Sequence, residues 1–308
     1  MTSSSASPDA PATTPIVGAA LDGPTVSTQW LADHLGSDGL VILDATVLQV
    51  PHPHGGLAWL SGLDQYLVDG HIPGSVFADL LETFSDPSGA YAFSRPDAAQ
   101  FAAAAASAGI DNQTTVIVYD SVVGTWAARI WWLFRAFGYD RVAVLDGGLT
   151  KWKAEGRATD TGHVEPRAVT AFVPVERPER WVDKSFVHDV VNGQERATLV
   201  CAVPPKEFAG EAGQRGRLGH IPGSVSAPAG RLVSRETNAL LPLDALRATF
   251  ADVLASADPI VTYCGGGIAA AADALVLALL GRADVAIYDG SLNEWADDDD
   301  APLAQVAA

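Results

Sequence analysis

The chain alternates short β-branched runs with long apolar stretches, and it does so twice in the same order. VILDAT around Asp44 and TTVIVYD ending at Asp120 read as strands buried on both faces, as do TLVCAV around Cys201 and PIVTYC ending at Cys264. A glycine-containing turn and an apolar helix follow the second strand of each half, TWAARIWWLFRAFG in one and IAAAADALVLALLG in the other. Another strand then leads into a shared signature, VAVLDGGLTKW ending at Trp152 and VAIYDGSLNEW ending at Trp295. The segment GHIPGSV occurs twice as well, starting at Gly70 and at Gly219.

Strands that alternate with helices predict an α/β fold. Each half becomes one unit, a mainly parallel sheet flanked by helices on both faces. At 308 residues the chain has room for two such domains in tandem. The expected boundaries are a disordered tail at 1–23, a first domain at 24–155, a linker at 156–180 and a second domain at 181–308. The matched elements share their order and differ in the loops between them.

Charge narrows the function. Lys and Arg number 19 against 37 Asp and Glu, a formal charge of −18 that argues against nucleic acid as a partner. No apolar run is long enough to span a bilayer, so no membrane partner is expected. The start, MTSSSASPDAPATTP, lacks the basic and apolar regions of a secretory signal. With two cysteines there is no disulfide framework and no zinc spacing, which points to a reducing, cytoplasmic setting without metal or cofactor.

The chemistry concentrates at Cys264. It ends a strand and is followed by Gly265, Gly266, Gly267, Ile268 and Ala269, a loop whose backbone N–H groups can form an anion cradle at a helix start. Such a field favours a thiolate nucleophile. The competing reading is a buried, inert cysteine; the first repeat weighs against it, because Asp120 stands at the equivalent place. Cys201, inside an apolar strand, reads as core. Phosphatase-like loops carry an arginine six residues after the cysteine, and here that residue is Ala270, which excludes phosphoryl chemistry.

Together the doubled HIPGS, WWLFRAFG, LDGGLTKW, YDGSLNEW and the cysteine loop resemble the tandem rhodanese family of thiosulfate and 3-mercaptopyruvate sulfurtransferases. The resemblance runs from about Ser27 to Trp295. It implies a non-catalytic first rhodanese-like domain and a catalytic second one. Sulfane sulfur from a small anionic donor would be carried as a Cys264 persulfide to cyanide or to a thiol acceptor such as thioredoxin. CGGGIAA is nearer to the mercaptopyruvate pattern CGSGVTA than to the thiosulfate pattern CRKGVTA, yet Gly266 replaces the serine and Ala269 the threonine. Glu207 stands where the family places a donor-binding arginine, which leaves Arg215, Arg217 and Arg129 as candidates. The resemblance also puts His71 across the cleft, with Asp64 as its acidic partner. The rivals are a thiosulfate-preferring enzyme and a non-catalytic binding or redox-sensing module.

Overall fold

The structure, a computed structural model, describes residues 19–52 and 57–306. Most of the expected tail, residues 1–18, lies outside the described residues. Two five-stranded sheets form, one from each half. The first comprises β1 (Thr25–Val26), β2 (Leu40–Asp44), β5 (Val76–Phe77), β6 (Thr115–Tyr119) and β7 (Val142–Leu145). An antiparallel hairpin, β3 (Val47–Pro51) with β4 (Leu57–Ser61), intervenes between β2 and β5. The second sheet comprises β8 (Trp181–Val182), β9 (Thr198–Cys201), β10 (Val225–Ser226), β11 (Ile260–Tyr263) and β12 (Val285–Tyr288).

The strand orders are β1-β7-β6-β2-β5 and β8-β12-β11-β9-β10, and every pairing within these two sheets is parallel. The sequence repeat is therefore a repeat of topology, strand for strand. The central strands β6 and β11 are buried along their whole length, which explains why they lack an alternating polar face.

After β6 and β11 the chain turns through Gly124 (φ 82) and Gly267 (φ 78) into the helices Thr125–Ala136 and Ile268–Leu279. Both glycines occupy the left-handed region, where a side chain would be strained. The two helices pack against each other and form the seam between the domains. One apolar cluster crosses that seam, from Val116 and Trp131 on one side to Val261 and Leu277 on the other. The domains thus share a core.

The segment between the sheets has little regular structure before the short turn Pro178–Arg180. It is nevertheless pinned to the first domain, with Arg167 Nε donating to Gly109 O at 2.7 Å and Val173 N to Asn112 Oδ1 at 2.7 Å.

The signature aspartates latch the domains reciprocally. Asp146 of the first accepts from Leu240 N at 2.7 Å, and Asp289 of the second accepts from Arg95 N at 2.9 Å. Each carboxylate ties down a loop of the opposite domain.

Candidate active site

Cys264 follows directly on β11 and is 4% exposed, at the floor of a cavity of about 500 Å³ between the domains. The second domain contributes Gly265, Gly266, Ile268, Ala269, Glu207, Arg215 and Asn293 to its walls. From the first come Gln49 and Trp59 of the hairpin, with Phe93, Thr125 and Trp126. The location at a strand end, where a parallel sheet hands over to a helix, is where such sheets place ligands.

The twin site shows what the cradle does. In the first domain the Asp120 carboxylate, fully buried, accepts four backbone N–H groups, from Val122 (2.9 Å), Gly124 (2.9 Å), Trp126 (3.1 Å) and Ala127 (3.0 Å). Burial pushes its pKa up, against the pull of those four donors. That cradle is filled by the protein's own anion. In the second domain Cys264 stands at the same place, and the helix-start N–H groups matching Trp126 and Ala127 belong to Ala269 and Ala270. Its loop is braced from below by Ser291, whose Oγ accepts from Cys264 N and Gly267 N, both at 3.1 Å, and donates to Tyr288 O at 2.8 Å.

The left-handed requirement within this loop falls on Gly267 alone; Gly265 and Gly266 have no positive φ. The loop is crowded there, since a Cβ on Gly267 would stand 2.9 Å from Asp289 Oδ1 and 3.1 Å from Arg129 Nη1.

Arg215 belongs to the cavity. Its guanidinium would come within 3.3 Å of a Cβ on Gly265, and its Nη2 pairs with Glu207 at 2.8 Å. Glu207, the acid found where the family places an arginine, is therefore the partner of Arg215. Arg217, two residues on, lies elsewhere: it donates to the carbonyls of Asp298 and, at 2.6 Å, Ala301, fastening the C-terminal segment.

Arg129, expected as a donor-binding residue, is not available to a donor either. Its side chain is fully buried, ion-paired to Asp289 at 2.7 Å, bonded to Phe93 O at 2.9 Å and stacked over Trp181. No face of it reaches the cavity.

His71 does not meet the cleft either. It is fully buried, its Nδ1 lies 3.0 Å from Tyr66 O, and its ring stacks on Tyr66 at 3.9 Å. His220 repeats the arrangement, with Nδ1 2.7 Å from Phe208 O and its ring 3.7 Å from Phe208. The doubled HIPG is thus a doubled folding device, each histidine fixing the preceding helix to a turn. Asp64 is exposed in the first turn of the helix Leu63–Val68 and does not line the cavity.

Cys201 ends β9 in the core, and burial pushes its thiol up to about 12. It holds its proton at neutral pH. Among the described residues, no group of three or more His, Cys, Asp or Glu could hold a metal ion, and no helix is long and apolar enough to cross a membrane.

Among the contributors to the cavity that were not anticipated, three are polar or aromatic side chains with a signal in the sequence. Gln49 and Trp59 arrive on the hairpin, whose signal was the alternation in VLQVP and LAWLS. Asn293 is one of the positions at which the second DG signature departs from the first, where Thr150 stands.

Known proteins share this arrangement. The rhodanese-like domain family matches residues 27–155 and again 190–298. A mitochondrial thiosulfate/3-mercaptopyruvate sulfurtransferase of Arabidopsis thaliana is 35% identical, over 92% of this chain and 78% of that protein. The 3-mercaptopyruvate sulfurtransferase of Escherichia coli is 34% identical, over 91% and 98%. The crystal structure of Escherichia coli SseA superposes with a TM-score of 0.75 at 33% identity, covering 87% of this chain and 98% of that one. This chain belongs to the rhodanese family, as a tandem member of its thiosulfate and 3-mercaptopyruvate sulfurtransferase branch.

Proposed function

We propose that the protein transfers sulfane sulfur through a persulfide on Cys264, with 3-mercaptopyruvate as the favoured donor. The observation that carries this reading is the contrast between the twin cradles. One is closed by the Asp120 carboxylate, and the other presents a cysteine to an interdomain cavity.

In the loading step the Cys264 thiolate attacks the sulfur of 3-mercaptopyruvate. A sulfur–sulfur bond forms as the carbon–sulfur bond breaks. The pyruvate enolate that leaves takes up the proton given by the donor's thiol, so pyruvate and a persulfide anion result. The free N–H groups at the start of the helix Ile268–Leu279 suit that anion. In the second step an acceptor thiolate, such as that of thioredoxin, attacks the outer sulfur and returns Cys264 to its thiolate form.

Charge supports the donor assignment. Among the described residues, Arg215 is the cationic side chain lining the cavity, and Glu207 already neutralises it. A monoanionic donor suits that balance better than the thiosulfate dianion. A cytoplasmic, reducing setting is proposed with it, since the thiolate must be kept free to react.

Mass spectrometry after incubation with each donor tests the reading. One added sulfur atom on the peptide containing Cys264, formed faster with 3-mercaptopyruvate, is expected. An unmodified thiol with both donors would assign the fold to a non-catalytic module.

A further inference from the structure

Asn293 stands over the cysteine loop with its side chain unused. Its backbone N–H donates to Gly265 O at 2.9 Å, which fixes it against the loop independently of the carboxamide. The side-chain Nδ2 lies 3.1 Å from where a Cβ on Gly266 would stand, so it fills space that any side chain at that position would claim. Asn293 and Gly266 both line the cavity that contains Cys264.

The twin position shows that this freedom is particular to the catalytic half. Thr150, the counterpart of Asn293, is engaged: its hydroxyl accepts from Asn238 Nδ2 at 3.0 Å and lies 3.4 Å from Ser121 O. No described residue accepts from the Asn293 carboxamide. A group with two donor hydrogens, half-buried at a cavity wall, is poised for a ligand.

We propose that Asn293 is a catalytic residue of this site, donating from Nδ2 to the anionic sulfur carried on Cys264. The inference rests on the persulfide reading above and deepens it. A neutral amide can steady negative charge on the sulfur without adding charge to a cavity where Arg215 and Glu207 already cancel. It supplies from a neighbouring helix what Gly266 cannot supply from the loop.

Single-turnover loading of Cys264 with 3-mercaptopyruvate, followed by quenched mass spectrometry, tests this. Asn293→Ala should slow loading roughly 10–100-fold, the effect of removing one hydrogen bond to a charged group. Asn293→Asp should be slower still at neutral pH and recover as its carboxyl becomes protonated, a pH profile that a structural role would not produce. Gly266→Ser in the Asn293→Ala background should restore part of the rate by returning a donor to the same space. Wild-type loading rates in Asn293→Ala would overturn the role of Asn293 and leave the persulfide intact. A wild-type protein that never takes up sulfur would overturn the reading beneath it.

Discussion

Arg129 of the first domain and Asp289 of the second meet at 2.7 Å beneath the cysteine loop, with Gly267 packed against both. The arginine is fully buried and the aspartate partly exposed, at 18%, and Asp289 also accepts from Arg95 N. Truncating one partner of such a pair leaves the other's charge without compensation, which costs more than the pair itself contributes. Arg129→Ala should lower stability by about 3 kcal/mol and reduce turnover with it, because the loop loses its floor. Urea unfolding and steady-state kinetics on one preparation check this; unchanged stability would mean that the pair is solvated.

The two cysteines should separate cleanly. Cys264→Ser should abolish sulfur transfer and keep the fold, since a hydroxyl is not ionised near neutral pH and cannot hold a persulfide. Cys201→Ser should keep most of the activity, its thiol being held protonated in the core. Transfer assays on both variants, with circular dichroism as the control for folding, decide the assignment.

Arg215 and Arg217, so close in sequence, should respond differently. Arg215→Ala should raise the Michaelis constant for 3-mercaptopyruvate by about 1.5–3 kcal/mol in binding terms, the scale of a charged hydrogen bond. Arg217→Ala should leave that constant alone and lower the melting temperature, because it releases the carbonyls of Asp298 and Ala301. Equal constants for both variants would remove Arg215 from donor binding.

Those two arginines mark how far the sequence could be read. The paired HIPG, the central strands and the DG signatures were legible because each is a local pattern written twice, and the α/β class follows from them. Arg129 was not legible as a clamp, because its partner lies in the other repeat and only the packing of the helices Thr125–Ala136 and Ile268–Leu279 brings them together. His71 misled for a different reason: the family resemblance gave it a chemical role across the cleft, while its ring stack on Tyr66 depends on a helix that composition does not reveal. The hairpin of β3 and β4 carried an alternating pattern, but nothing in it told which domain's cavity it would cover.

Asp44, at the end of β2 where the second sheet has Cys201, provides a pH test. Burial raises its pKa to about 6 from the usual 3.8, even though it accepts from Thr46 N at 2.9 Å. The folded state therefore binds this proton more tightly than the unfolded chain does. The contribution of Asp44 to stability is greatest below about pH 4 and falls as pH rises towards about 6, by about 2–3 kcal/mol. Asp44→Asn keeps the acceptor for Thr46 N and lacks the titration. Its stability relative to the wild type should rise by that amount between about pH 4 and about pH 7, measured by urea unfolding. A constant offset between the two proteins would place the titration outside that window.

Ser291 sets a backbone cost against a hydroxyl. It adopts φ 52, a conformation that side chains rarely take, and its Oγ ties together Cys264 N, Gly267 N and Tyr288 O. The first repeat has Gly148 at this position with φ 51, so the backbone there is dictated by the fold and not by the serine. Ser291→Ala retains the strain and loses the brace, whereas Ser291→Gly loses the brace and relieves the strain. Both variants should therefore show similarly reduced turnover, since the cysteine loop is equally unsupported in each. Their stabilities should differ, the glycine variant being more stable than the alanine variant by about 1 kcal/mol, the usual cost of a side chain in the left-handed region. Paired melting curves and transfer rates separate the two effects. If the glycine variant recovered full turnover as well, backbone strain and not the missing hydroxyl would be what limits the alanine variant, and the brace would have no part in positioning Cys264.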